Sequence, residues 1–437
     1  MNLTSFGGVL GAASEQVQPF DRYALSEDSW SSPTLAVGMS RSYGDVALVS
    51  DGLAISTAGL NKFISFDLET GILECEPGVL LREIQATFVK RGWMLPVTPG
   101  TSFVTIGGAI ANDVHGKDHH FAGTFGDHVI SLELATSSGE RYLCSRKENQ
   151  GLFRATIGGL GLTGFIVSAK IQLKRVAGPY FDAEAITFGT LEEFFSISEQ
   201  TEKENWEASV AWFDCSTPKA GRGSFTRGNA SKREYRPAKD DAKLDLNSRS
   251  INFPVTPPFS LINKLTLDAF NHAYFQLQRV IAGKSEMHYK DFYYPLDGVT
   301  NWNRIYGPRG FYQYQSVVPM DTASAATKEM LDAIRRSGEG SFLGVIKTFA
   351  DKEPAGLLSF AKHGVTLALD FPNRGESTER LFKILDNIVR DAGGRLNPSK
   401  DARMSREMFQ EGFPQLKNFL KYRDPGFSSD FAKRLID

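Results

Sequence analysis

PVTPGTSFVTIGGAIANDVHGKDHHFAGTFGDHV, Pro96 to Val129, interleaves glycines and alanines with a single apolar run. Such residues bury little area and cost backbone entropy, so the stretch makes poor core. It reads instead as a surface for close ligand approach. Pro99-Gly100-Thr101 and Gly107-Gly108 would supply N–H donors and clearance for a planar or phosphate-bearing ligand. His115, Lys117, His119 and His120 add titratable side chains. The HxxxHH pattern lacks a nearby carboxylate at helical spacing and lies among glycines, so no metal site is expected. Structural hydrogen bonding accounts for at least two of the three histidines, and His115, between Val114 and Gly116, is the one singled out.

Two further glycine-rich segments flank this one. Upstream, GMSRSYGD (Gly38 to Asp45) follows the apolar run TLAVG, and small residues beside Arg41 would let backbone N–H groups approach a diphosphate, although an ordinary glycine turn explains the motif in isolation. Downstream, TIGGLGLTGFIVSAKIQL (Thr156 to Leu173) contains a GxGxxG, but its glycines precede a strand instead of opening a helix, so a Rossmann reading fails on context. Glycines before a strand can still line an adenine or ribose pocket.

From Leu35 to about Arg175 short apolar strands alternate with glycine-rich turns: TLAVG, GLAIST, FISFD, ILECEPG, HVISLELAT and GFIVSAKIQLKRV. VLLREIQATFVKRG is an amphipathic helix, with Leu80, Leu81, Ile84 and Phe88 at helical spacing and Gly92 as its stop, and a second helix ends at Thr156. Beyond Arg175 glycine thins out. Longer amphipathic segments, TLEEFFSISEQTEKENW and ATKEMLDAIRRSG, alternate with strands ASVAWFD, QYQSVVP and VTLALDF, as in a second, α+β domain. Residues 217–250 are polar and basic with scattered glycine, which suits a mobile surface loop rather than packed structure. The apolar, proline-broken INFPVTPPFSLINKL follows at Ile251.

A chain of 437 residues exceeds the size at which one core stops growing, so two domains are expected. A net charge of −2 lacks the basic excess of a nucleic-acid binder. Cys75, Cys144 and Cys215 are widely spaced without a CxxC, which indicates neither a disulfide framework nor zinc. The N-terminus lacks a basic n-region and no apolar run reaches membrane-spanning length, so a cytoplasmic or peripherally membrane-associated protein is expected.

Taken in order, GMSRSYGD, PGT…TIGGAIANDVHGK and GGLGLTG resemble the FAD domain of the vanillyl-alcohol oxidase superfamily with its PCMH-type FAD-binding fold. Within it, DVHGKDHHFAGTFGDHV, FYYPLDGVTNWNRIYGPRGFYQYQSVVP, VIKTFA, VTLALDFP and GGRLNPSKDARM look like decaprenylphosphoryl-ribose oxidases, from about residue 35 to the C-terminus. The resemblance implies an α+β protein: an FAD-binding domain of two α/β subdomains over residues 1–178, a substrate domain of antiparallel sheet and helices over 179–393, and a segment 394–437 returning to the FAD domain. It also makes 217–250 a lid, beside which INFPVTPPF could touch a prenyl chain or lipid surface; a solvated loop without a role explains its basic residues equally well.

Many superfamily members tether FAD through a histidine in the first glycine turn, where this chain has Arg41, so the resemblance implies dissociable FAD. It puts Arg41, Ser42, Tyr43 and Gly44 near the diphosphate. Gly100, Thr101, Thr105, Gly107, Gly108, Asn112, His115 and Gly116 would run along the cofactor, with Gly161, Gly164 and Ile166 near its adenosine half. Lys400 and His115 would flank the reacting sugar carbon as the catalytic residues, with hydride passing to flavin N5. Lys400 would act as a base if burial lowers its pKa, or as a cation holding the alkoxide. Gln313, Gln315, Lys347, Lys117, Thr366 and Ala368 would contact the substrate. Family relatives carry a cysteine in place of Ala368 and an aromatic residue near Asn397, so a thiol is not required and the sugar is less fixed than the reaction.

The implied reaction is oxidation of the 2′-hydroxyl of a polyprenylphosphoryl ribose, completed to the arabinose epimer by a separate NAD(P)H-dependent reductase, in arabinan and cell-envelope biosynthesis. The rivals are a soluble polyol or aldonolactone as substrate, or a binding subunit that keeps the fold without turnover.

Overall fold

The computed structural model describes residues 2–25, 30, 33–217, 221–246 and 251–437. Strands β1 (Glu15–Val17), β2 (Thr34–Val37) and β3 (Leu53–Ser56) form a parallel sheet in the order β1-β3-β2. Strands β4 (Phe63–Phe66) and β5 (Ile72–Cys75) then lead into helix α1 (Leu81–Phe88). Its Leu81, Ile84 and Phe88 are buried, the Glu83 carboxylate accepts from the Leu80 N–H at 2.9 Å, and Gly92 ends the following 3-10 turn at φ +80°. After the short helix α2 (Ile106–Ala111) come β6 (Val129–Ala135), β7 (Arg141–Ser145), α3 (Gln150–Thr156) and β8 (Phe165–Gln172). The antiparallel sheet β7-β6-β8-β5-β4 packs its inner face on α1 and α2.

The second half is built on one eight-stranded antiparallel sheet. Its elements are β9 (Tyr180–Phe188), α4 (Leu191–Lys203), β10 (Ala208–Phe213), β11 (Gly223–Ala230), α5 (Pro237–Leu244), α6 (Lys264–Ile281), β12 (Gly283–His288), β13 (Phe311–Val318), α7 (Met320–Ser337), β14 (Val345–Phe349), β15 (Gly364–Pro372), α8 (Glu376–Asp391) and β16 (Arg395–Leu396). The strand order is β12-β9-β11-β10-β14-β15-β13-β16. Helices α4, α7 and α8 cover one face, where Phe225, Ile346, Leu367, Leu369 and Leu385 belong to one core. Burying each such side chain is worth roughly 1.5–3 kcal/mol. Because side chains alternate across a strand, residues between these positions point to the other face, toward the glycine-rich half. Residues of the glycine-rich half and of the large sheet thereby share one cavity.

The expectation that 217–250 is an unpacked loop is corrected here. Gly223–Ala230 is an interior strand, paired with β9 on one side and β10 on the other, and residues 237–244 are helical. GSFTRGNA looks loop-like because its glycines serve packing: a Cβ on Gly223 would sit 2.1 Å from the Trp212 carbonyl oxygen, and one on Gly228 would meet the Phe292 ring at 2.9 Å. Arg227 is buried over the Trp206 ring and paired with Glu184 at 2.7 Å, so its charge is satisfied inside the domain. Residues 218–220 and 247–250 of that stretch lie outside the described residues.

The chain end stitches the halves together. β16 adds to the large sheet beside β13, whereas helix α9 (Asp430–Leu435) and the residues before it bond to the parallel sheet region. Ser428 N–H donates to the Thr34 carbonyl at 2.9 Å, Asp430 accepts from Ser50, and Arg434 pairs with both Asp45 (2.8 Å) and Asp401 (3.0 Å). Among the described residues no helix is long and apolar enough to cross a membrane.

Candidate active site

A cavity of about 800 Å³ runs between the glycine-rich half and the exposed face of the large sheet, within the roughly 300–1,000 Å³ typical of ligand pockets. Of the residues expected at the cofactor, Arg41, Ser42, Tyr43, Gly100, Thr101, Thr105, Gly107, Gly108, Asn112, His115, Gly161, Gly164 and Ile166 line it. Of those expected at the substrate, Gln313, Gln315, Lys347, Thr366, Ala368 and Lys400 do so too.

Three expected residues do not. A Cβ on Gly44 would lie 1.5 Å from the Asp401 carbonyl oxygen and one on Gly116 2.0 Å from that of Thr98, so both positions require glycine for close backbone packing. Lys117 turns away, donating from Nζ to the Phe292 carbonyl and lying over its ring. Burial lowers its pKa to about 8. Thr101 lines the cavity, yet its hydroxyl donates to Asp297 at 2.6 Å, and Ser102 donates to the same carboxylate from N–H and hydroxyl at 2.7 Å. Asp297 thus clamps the Gly100 loop to the half built on the large sheet, a role the sequence did not disclose.

The trough fits a flavin dinucleotide on two observations. A Cβ on Gly100, which lines the cavity, would meet nothing within 4 Å among the described residues, so this loop leaves the trough open for a bound group. Asn112 donates from Nδ2 to the Gly108 carbonyl, but its buried Oδ1 has no partner among the described residues and can accept from a bound group. The turn carrying Arg41 opens with Ser40 at φ +48°, and the guanidinium lies over the rings of Phe6 and Phe103. Burial lowers the Arg41 pKa, against the attraction of Asp297. Leu160, a non-glycine residue at φ +57°, lines the trough beside Gly161.

At the substrate side, the sheet register sets the chemistry. Gln313 faces Asp370, Gln315 faces Ala368, and Lys347 faces Thr366, all on β13, β14 and β15. Asn397 donates from Nδ2 to Gln315 Oε1 at 2.9 Å, which fixes that amide and turns Nε2 toward Thr366 Oγ1 (3.2 Å) and His115 Nε2 (3.0 Å). As Gln315 Nε2 can only donate, His115 Nε2 accepts and its ring proton sits on Nδ1. Burial, followed by Lys347, His119 and Lys400, holds the His115 pKa well below its ordinary value, so the ring stays neutral. The other histidines face elsewhere: His119 packs on Phe349 and His120 Nε2 meets the Trp206 carbonyl.

Lys400 sits on the turn after β16, with Nζ 4.2 Å over the Tyr43 ring. That turn is held to the first glycine loop by the Tyr43 N–H donating to the Ser399 carbonyl at 3.0 Å. Burial brings Lys400 down to about 8, opposed by Asp370, and brings Lys347 to about 8 as well. Asp370 is the main residue that sequence reasoning missed. It is fully buried, lines the cavity, accepts from Gln313 Nε2 at 2.7 Å on Oδ1, and its Oδ2 has no partner among the described residues. Burial pushes its carboxyl up to about 7. Its signal was available, since it alternates with Thr366 and Ala368 in VTLALDF.

Residues 14–145 match the FAD binding domain family model. Over 412 residues, 92% of this chain and 88% of the relative, the sequence is 38% identical to decaprenylphosphoryl-β-D-ribose oxidase of Mycolicibacterium smegmatis. Shorter similarities reach L-gulonolactone oxidase of Bos taurus (29% identity, 40% of this chain and 39% of the relative) and Δ(24)-sterol reductase of Homo sapiens (31%, 26% and 22%).

Proposed function

The chain belongs to the decaprenylphosphoryl-β-D-ribose oxidase family, and from that premise we propose that it oxidises the 2′-hydroxyl of a polyprenylphosphoryl ribose to the 2′-keto sugar. It is an FAD-dependent oxidoreductase. The observation that carries the substrate reading is the meeting, in one cavity, of a glycine-lined trough with Lys400, Asp370, Lys347 and the Gln315–His115 pair. Bound in the trough, FAD supplies the acceptor for the hydride that leaves the sugar carbon.

The residues of the chain handle the proton and the charge. Ionised Asp370, with Oδ2 unpaired, accepts the hydroxyl proton, and protonated Lys400 holds the negative charge that develops on the oxygen. Neutral His115 cannot serve as a cation and instead fixes Gln315 and the sugar ring it faces. Lys347 supplies positive charge for the substrate phosphate. Arg41 in place of a tethering histidine supports non-covalent FAD. The keto product needs a hydride donor to become the arabinose epimer, which supports a partner reductase using NAD(P)H.

Anaerobic titration of the FAD-loaded protein with a short-chain polyprenylphosphoryl ribose tests this reading. Loss of the oxidised flavin band is expected. A flavin bleached only by free polyols or aldonolactones would replace the substrate, and one bleached by neither would leave a binding subunit.

A further inference from the structure

Helix α6 (Lys264–Ile281) has an inverted burial pattern. Only Leu267 and Asn271 are buried, whereas Leu265 (79% exposed), Phe270, Leu277, Val280 (81%) and Ile281 face solvent. At 100° per residue these exposed side chains, with Ala269 and Ala273, fill an outward arc of about 160° that contains two polar residues, Thr266 and Gln276, and no charge. An apolar face of this width on a soluble helix requires a partner. Arg279 borders the arc and Lys284 follows it, and neither makes an ion pair among the described residues. Asp268, on the same flank, is turned inward with Oδ1 buried.

The face is continuous with the cavity mouth. The preceding segment exposes Ile251 (75%), Val255 and Phe259. It runs beside a strip of the cavity wall: Ile251 and Asn252 pair with Val299 and Thr300, and Leu261 N–H donates to the Ile305 carbonyl. Val299, Thr300 and Trp302 line the cavity. From the helix, Phe270 packs on Phe342, Phe342 on Tyr306, and Tyr306 on Trp302, an unbroken aromatic chain to the wall.

We propose that α6 and residues 251–261 seat the enzyme on an anionic lipid surface, holding the cavity mouth at the plane where a polyprenyl phosphate lies. The apolar arc enters the acyl boundary while Arg279 and Lys284 meet lipid phosphates. The inference rests on the lipid-linked substrate reading for its purpose, but not for its physical basis.

The test is flotation of the FAD-loaded full chain with vesicles of phosphatidylglycerol and phosphatidylethanolamine, beside phosphatidylcholine vesicles and a Leu265→Ser/Leu277→Ser/Val280→Ser variant. Wild type is expected to float with the anionic vesicles, and the variant to lose at least about tenfold in partitioning, as the loss of several inserted apolar groups dictates. The variant should keep its FAD content, melting temperature and flavin reduction by a short-chain, water-soluble substrate. Equal partitioning of the two proteins, or no flotation of wild type, overturns the proposal. So does a wild-type dimer in solution that the variant abolishes, since a second copy would then cover the face. Vesicle binding without flavin reduction by any polyprenylphosphoryl ribose would instead remove the substrate reading and leave the docking surface intact.

Discussion

Lys400 Nζ lies 4.2 Å over the ring of Tyr43, so the last part of the chain delivers its ammonium onto a residue of the first glycine turn. The two are also joined through the Tyr43 N–H and the Ser399 carbonyl. Lys400 and Asp370 influence each other's protonation across the same cavity, which makes their pH behaviour the most direct probe of the site.

Flavin reduction under single turnover should rise with pH as Asp370 ionises, near about 7, and fall as Lys400 loses its proton, near about 8. The two groups interact, so the limbs belong to the pair. Asp370→Asn should abolish the acidic limb and slow reduction by about 10²-fold or more, the scale of general-base catalysis. Stopped-flow traces in which Asp370→Asn retains the acidic limb would assign proton removal to another group.

Lys400→Met should be inactive yet more stable. Burial depresses the folded-state pKa of Lys400, so the folded protein disfavours the charged form, and that cost is fully present below about 8 and fades as pH rises toward the ordinary lysine value. The melting temperature of the variant should therefore exceed that of wild type at pH 7 and converge with it on raising the pH. A variant less stable at pH 7 would mean that the contacts with Tyr43 and Asp370 outweigh desolvation.

Two glycines of similar appearance should behave oppositely. Gly44→Ala drives a methyl into the Asp401 carbonyl and should destabilise the protein even without flavin. Gly100→Ala meets no protein atom within 4 Å and should fold normally while weakening FAD binding. Thermal melts of the apoproteins and fluorescence titrations with FAD separate the two; a flavin affinity unchanged by Gly100→Ala would move the cofactor off that loop.

Gln315→Leu leaves His115, Thr366 and Asn397 without their shared partner, and unpaired buried polar groups cost about 1–3 kcal/mol each. Urea unfolding should show a loss on that scale, with flavin reduction reduced as well. Retention of wild-type stability would indicate that water replaces the amide.

Acid precipitation of the purified holoprotein should leave its flavin in the supernatant, since Arg41 occupies the turn where a covalent histidine link would form. Flavin remaining with the pellet would identify a different attachment point.

Local elements were readable where the sequence carries a period or a stop. The spacing of Leu81, Ile84 and Phe88 and the αL-competent Gly92 define α1 without tertiary help, and Gln313 and Gln315 share a face because strands alternate. The strand at Gly223–Ala230 was opaque because its glycines answer to Trp212 and Phe292, which are distant in sequence. For the same reason Gly44 and Gly116 could not be told from Gly100: whether a missing side chain makes room for backbone or for ligand depends on what lies opposite. Lys117 and Lys347 likewise read as equivalent cations; each donates to a carbonyl, of Phe292 and of Gly116, but only Lys347 lines the cavity. Asp370 was hidden differently, since an acid in an apolar strand acquires meaning only when Gln313 and Lys400 are brought to it.

The stitching of α9 onto the parallel sheet makes the site depend on distant sequence. The glycine trough and all strands of the large sheet except β16 precede Lys400 by at least the length of α8, and the turn of Lys400 is anchored by the later Arg434 through Asp45 and Asp401. A chain clipped ahead of Asp424 would keep Lys400 but lose the Arg434 pair that anchors its turn. The seat of the ammonium over Tyr43 therefore depends on residues that follow it in the chain, so damage far from the cavity in sequence can reach the reacting group.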